Sequence, residues 1–187
     1  MAATLAAGML FTLAWGAVSA SANSTGSISG TVTAAATGHA PLEGILVCAW
    51  TLDEEDDECD LTASDGAYTI ANLPAGSYKV DFWGGSNGYI SQYYDGKSSW
   101  IEADVVPVSE EATTGGIDAE LVLGGTITGT VIDATTHAGI AGFNVCASDG
   151  SHESCEETDV DGNYTITGLP EGDYIVYFEF FDDSDYV

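Results

Sequence analysis

The sequence contains no arginine and only two lysines, Lys79 and Lys97, against 30 aspartates and glutamates, so its formal net charge is −28. Phosphate binding needs a cationic footprint that releases counterions, and this chain offers almost none, which argues against a nucleic-acid partner. The same deficit argues against docking on an anionic membrane surface. No amphipathic helical stretch of useful length is visible. Charged residues are only 17% of the chain and apolar ones 45%, which is not the composition of a disordered acidic tail. What is abundant is glycine, at 23 residues, together with Thr, Val, Ile and Tyr. That mixture predicts β structure with tight turns. The length accommodates one or two domains.

Residues 1–22 carry no charge at all. Met1 to Val18 is mostly Ala, Leu and Gly, and Val18-Ser19-Ala20 and Ala20-Ser21-Ala22 place small residues where a signal peptidase reads. This predicts a secretory signal peptide and no membrane insertion after its removal. A basic n-region is missing, so the true start is expected further upstream. The other reading is a membrane anchor, for which the run is slightly short and has no basic flank. An exported protein sees an oxidising compartment, where the four cysteines 48, 59, 146 and 155 read as disulfides.

The chain repeats itself. Gly26-Ser27-Ile28-Ser29-Gly30-Thr31-Val32 returns 99 residues later as Gly125-Thr126-Ile127-Thr128-Gly129-Thr130-Val131. Val47-Cys48-Ala49 returns at 145–147, and Asp65-Gly66-Ala67-Tyr68-Thr69-Ile70 at 161–166. Leu73-Pro74-Ala75-Gly76-Ser77-Tyr78 returns at 169–174. A period this long is the size of a small domain, not of a solenoid unit. Of the three connectivities open to four cysteines, the repeat selects Cys48–Cys59 and Cys146–Cys155, each pair bracketing one polar loop. A metal site is the alternative, but no adjacent Cys-x-x-Cys or His pattern supports it.

Within each unit the pattern is one of short strands. Ile28, Gly30 and Val32 alternate with polar neighbours, and Ile45 to Trp50 reads as a buried strand. Asp65-Gly66 precedes Tyr68-Thr69-Ile70 as a hairpin turn would. Tyr78, Val80 and Phe82 share one strand face, as Tyr174, Val176 and Phe178 do in the second unit. Segments 103–108 and 116–123 complete the first unit. Regular turns between alternating strands indicate a β-sandwich.

The string G-x-I-x-G-T-V, the D-G-x-Y-x-I step and L-P-x-G-x-Y together resemble the carboxypeptidase regulatory-like domain. The resemblance covers about residues 26–124 and again 125–178. It implies an all-β protein of two tandem transthyretin-like, Greek-key, seven-stranded sandwiches, of a family related to collagen-adhesin B-type repeats and starch-binding-like folds. It implies a non-catalytic module, since fold alone does not fix function. After Phe82 the first unit runs another 41 residues to Leu123, whereas nine follow Phe178. The second sandwich is therefore expected to be C-terminally incomplete and the chain a fragment of a longer secreted protein. Adhesin repeats of this type join a Lys to an Asn. The second unit has no Lys, and Lys79, aligned with Ile175, is expected at the surface.

Catalysis, calcium binding and carbohydrate binding are each weighed against plain structure. A zinc enzyme needs clustered ligands, but His39, His137 and His152 are isolated, and His39 and His137 fall in near-equivalent turns. Gly84-Gly85-Ser86-Asn87-Gly88 fits G-x-S-x-G, which requires a following helix; here it reads as a Gly-rich loop. A glycosidase carboxylate pair needs a cleft that a small sandwich rarely provides. No catalytic residue is expected.

Calcium is the one candidate cofactor. Asp53 to Glu58 is a dense acidic run, and Asp159, Asp161 and Asn163 alternate oxygen ligands as a calcium loop does. The first unit lacks the leading Asp there, and Pro170 occupies the twelfth position. A hairpin turn accounts for the same residues. Carbohydrate is the second candidate. Trp83, Tyr89, Tyr93, Tyr94 and Trp100 crowd one stretch with Asn87, Gln92 and Asp95, as in a sugar-stacking site; packing over the sandwich is the plain alternative. The acidity itself predicts self-repulsion that salt relieves.

The sequence thus predicts a secreted or cell-surface protein of two modules, residues 23–124 and 125–187, acting as a spacer, adhesion or binding appendage. The alternative is a polysaccharide-binding accessory region of a secreted glycoside hydrolase such as an alpha-amylase. The expected partners are polysaccharide or cell-wall components.

Overall fold

Successive residues of a strand face opposite sides, and in the first strand Ile28 and Val32 are fully buried while Ser29 and Thr31 are not. The computed structural model describes residues 24–36 and 38–179, so the expected leader lies outside the described residues. Strand β1 (Thr25–Ala34) pairs antiparallel with β4 (Ala67–Pro74) and parallel with β8 (Thr113–Thr114) and β9 (Ala119–Leu121). The facing sheet runs β3 (Asp57–Leu61), β2 (Leu46–Thr51), β5 (Gly76–Trp83), with β6 (Gln92–Tyr93) and β7 (Val106–Val108) both paired to β5. Setting aside the two-residue strands β6 and β8, this is a seven-stranded sandwich. Its core takes Ile28, Val32, Ile70 and Leu73 from one sheet and Val47, Val80 and Phe82 from the other. At about 25 cal/mol per Å² of buried apolar surface, these side chains dominate its stability.

Residues 125–179 repeat the first pairings. Strand β10 (Gly125–Thr130) pairs with β13 (Asn163–Leu169), and β11 (Asn144–Ser148) lies between β12 (Glu153–Glu157) and β14 (Ile175–Glu179). Even the irregularity recurs: a register shift between Gly26 and Ile28 has its counterpart between Gly125 and Ile127. A buried threonine ties the loop before β2 in the first half and before β11 in the second. Thr62 Oγ1 donates to the Leu42 carbonyl and accepts from the Ile45 amide; Thr158 Oγ1 donates to Ile140 and accepts from Phe143. His39 and His137 both hold positive φ, 61° and 59°, as turn residues do.

The halves differ in what covers them. Among the described residues, β10 has no parallel partners like β8 and β9, and β14 has none like β6 and β7. The second core is correspondingly small, built on Val145, Ala147, Ile166 and Leu169. As expected, Phe178 shares a strand face with Tyr174 and Val176, and its ring meets Tyr164 edge-on at 6.1 Å between centroids. It is 52% exposed, where its counterpart Phe82 is 0% exposed, because no described strand flanks β14 as β6 and β7 flank β5.

Both expected disulfides are formed, Cys48–Cys59 and Cys146–Cys155. Each joins directly opposed residues of a hairpin, with Cα atoms 4.1 and 4.0 Å apart. Such close pairs belong to the non-hydrogen-bonded sites of an antiparallel ladder.

Candidate functional site

The outward face of the β3-β2-β5-β6 sheet carries the densest chemistry. Its side chains lie in cross-strand rows fixed by the register. Leu61, Leu46 and Trp83 form one row; Cys59, Cys48, Asp81 and Tyr93 the next; Asp57, Trp50 and Lys79 the third. Asp81 sits at the centre and is 7% exposed. Its Oδ2 accepts the indole N–H of Trp83 at 2.8 Å, and its Oδ1 that of Trp50 at 3.3 Å. Burial raises its carboxyl to a pKa of about 6, against which the two indole bonds pull downward. No ion pair reaches it among the described residues.

Lys79, expected at the surface, is half-buried instead. Its ammonium lies 4.7 Å from the Trp100 ring centroid and donates to the Trp100 carbonyl. Tyr93 meets Trp100 edge-on at 6.1 Å between centroids. The sheet thus gathers Trp83, Tyr93 and Trp100 around Asp81. Tyr89 and Tyr94, which the sequence grouped with them, pack instead against the core of the first sandwich. Trp50, Lys79 and Asp81 join the group only through the register of β2 and β5. The one available signal was parity: Asp81 shares the outward phase of Lys79 and Trp83 on β5.

The second half closes this face. A cavity of about 400 Å³ is lined by Asp81, Trp83, Tyr93 and Trp100 and by Ser151 to Glu153 of the β11–β12 turn. A second, of about 320 Å³, shares Trp83, Ser91, His152 and Glu153 and reaches Thr167 and Leu169. The Tyr177 hydroxyl donates to Glu153 and is thereby held to a pKa of about 12.

The junction that sets this geometry is direct. The Gly124 amide donates to the Gly88 carbonyl at 2.9 Å, and Thr167 Oγ1 donates to the Gly85 carbonyl at 2.7 Å. A Cβ on Gly168 would stand 2.6 Å from the Tyr89 carbonyl oxygen, and one on Gly124 would stand 2.4 Å from the Gly168 carbonyl carbon. Only bare backbone allows the two halves this approach.

The remaining candidates fall elsewhere. Asp159 Oδ1 accepts the amides of Asp161 and Asn163 at 2.9 and 2.8 Å, and Oδ2 accepts the Asn163 side-chain amide at 3.4 Å. These bonds hold its carboxyl below the usual carboxylate range. The equivalent turn, Ala63 to Ala67, closes with the same backbone bonds and no leading Asp. Ser86 lies exposed in a 3-10 turn, Gly85–Asn87, that ends at Gly88 with φ 80°; the strand–turn–helix of a nucleophile elbow is not formed there.

Comparison with known proteins adds a partial family match. Residues 126–182 match the carboxypeptidase regulatory-like domain. No curated protein matches the chain. Among solved structures, the Bacillus anthracis TIE protein is similar at 19% identity and a TM-score of 0.41, over 84% of this chain and 28% of its own. A streptococcal ancillary pilin is similar at 16% identity and 0.42, over 82% and 53%. The shaft pilin SpaA from Lactobacillus rhamnosus GG is similar at 12% identity and 0.38, over 85% and 89%. This chain therefore spans well under two thirds of the length of the first two.

Proposed function

We propose that this chain is a secreted or surface-exposed, non-catalytic protein whose two tandem regulatory-like modules, residues 23–124 and 125–187, act as a stiff spacer. The match at 126–182 and the recurring strand pairs, bulge, threonine tie and cystine in residues 24–124 support reading both halves as copies of one module. The two cystines favour an extracytoplasmic setting.

The observation that carries the mechanical reading is the junction. Only Val122, Leu123 and Gly124 separate β9 from β10, and Val122 and Gly124 are tied by backbone bonds to Ile90 and Gly88, while Thr167 of the second half donates to the Gly85 carbonyl of the first. A flexible Gly/Ser linker would hold binding domains loosely; a hydrogen-bonded joint of this kind transmits orientation. Backbone amide relaxation of the whole chain tests it. The expected result is one shared tumbling time for residues 25–121 and 125–179. Separate, faster tumbling of the halves would refute the spacer. A second reading, a polysaccharide-binding appendage, is favoured by the aromatic face between the halves.

A further inference from the structure

We infer that the groove between the two halves is a binding site for a neutral oligosaccharide, with one pyranose ring stacked on Trp83. The inference rests on the stiff junction, because the groove exists only while the Ser151 to Glu153 turn is held opposite β5.

Trp83 is 54% exposed, yet it is not free to swing. Its indole N–H is fixed on Asp81, itself nine-tenths buried, so the ring is held as a platform whose outer part faces solvent. Side-chain fixation before binding removes part of the ordering cost of association. A pyranose presents a flat C–H face to such a ring and hydroxyls around its rim.

The surroundings fit hydroxyls better than ions. In a chain of net charge −28, the walls near Trp83 are mostly uncharged groups that both donate and accept: Ser91, Gln92, Ser98, Ser99 and Ser151. His152, with Nδ1 on Asp149, and Glu153, which accepts the Tyr177 hydroxyl, line both cavities from the other half. The nearest cation, Lys79, is already engaged with Trp100, so an anionic ligand finds no free counter-charge there. The two cavities share Trp83, Ser91, His152 and Glu153, which suits a chain of sugars running from one to the other more than a single small molecule.

The test titrates malto-, cello-, xylo- and chitohexaose into the full chain, following tryptophan fluorescence and amide chemical shifts. At least one is expected to bind with a Kd of roughly millimolar or tighter, moving amides of both β5 and residues 151–153. Trp83→Ala is expected to weaken it about tenfold or more, and Trp83→Phe, which keeps a flat face, to recover much of the loss. Glu153→Gln, at the exposed start of β12 and still able to accept the Tyr177 hydroxyl through its amide oxygen, is expected to keep the fold and to weaken binding about threefold. No response to any of the four sugars at roughly 10 mM overturns the inference, as does binding indifferent to Trp83→Ala and Glu153→Gln. Tetramethylammonium bound in place of every sugar also overturns it. Relaxation data on the same sample report the junction separately, so a rigid chain that ignores sugars sinks only the groove.

Discussion

Gly168 occupies in the second half the register position that Asn72 occupies in the first, and both hold positive φ, 71° and 62°. Asparagine tolerates that left-handed conformation, so φ alone does not demand glycine at 168. The close approach to Tyr89 does. Gly168→Asn is therefore expected to loosen the junction without disturbing β13, while Asn72→Gly is expected to cost only a few tenths of a kcal/mol. Amide relaxation would show the two halves tumbling apart in the first variant and together in the second.

Asp81 makes stability depend on pH in a defined window. Its folded-state pKa is raised from 3.8 to about 6, mainly by burial. The folded protein then holds a proton that the unfolded chain has released. This contribution is fully present below about pH 3.8 and disappears as pH rises through about 6, worth at most about 3 kcal/mol. Asp81→Asn mimics the protonated carboxyl and is expected to flatten the urea midpoint between those values. An Asn variant with the same pH slope as the parent would rule this out.

Each cystine closes a short loop, with sequence separations of 11 and 9. Restricting the unfolded chain over such loops is worth about 2–3 kcal/mol each. The Cys146→Ser/Cys155→Ser double variant is expected to suffer more than its Cys48/Cys59 counterpart, because the second core is smaller. Equilibrium denaturation of both variants measures the difference.

With a net charge of −28 and two lysines, the surface has few opposite charges to pair. Lys97 reaches Asp95 and Asp104 at 3.6 and 3.8 Å, contacts worth little in water. The melting temperature is expected to rise as NaCl increases from roughly 0.05 to 1 M, where screening shortens the Debye length to a few ångströms. A flat or falling response would count against dominant self-repulsion.

Much of the scaffold can be read directly from residue order. Period-2 alternation at Ile28 and Val32 locates β1, and Asp65-Gly66 locates the turn before β4, because both are local rules. The cystines follow from the repeat. The site is harder to read. Asp81 stands at an outward position of β5, which on an isolated strand would be solvated. What buries it is Trp50 on a neighbouring strand and the 93–100 segment folding back. Tyr93 and Tyr94 are adjacent, yet one faces outward over Asp81 and the other reaches the core. No periodicity governs a segment interrupted by two 3-10 turns, so the sequence offered no means to separate them. Phe178 keeps the strand phase it shares with Tyr174 and Val176, but full burial like that of Phe82 also requires a covering strand.

The crosslinks sit within hairpins and never between sheets. Under tension the cystines would hold back only the stretches they enclose, residues 49–58 and 147–154. At about 3.4 Å per residue, nearly all of its contour would be free to lengthen before a covalent bond took the load. Such a thread yields by unravelling, and absorbs work long before it snaps.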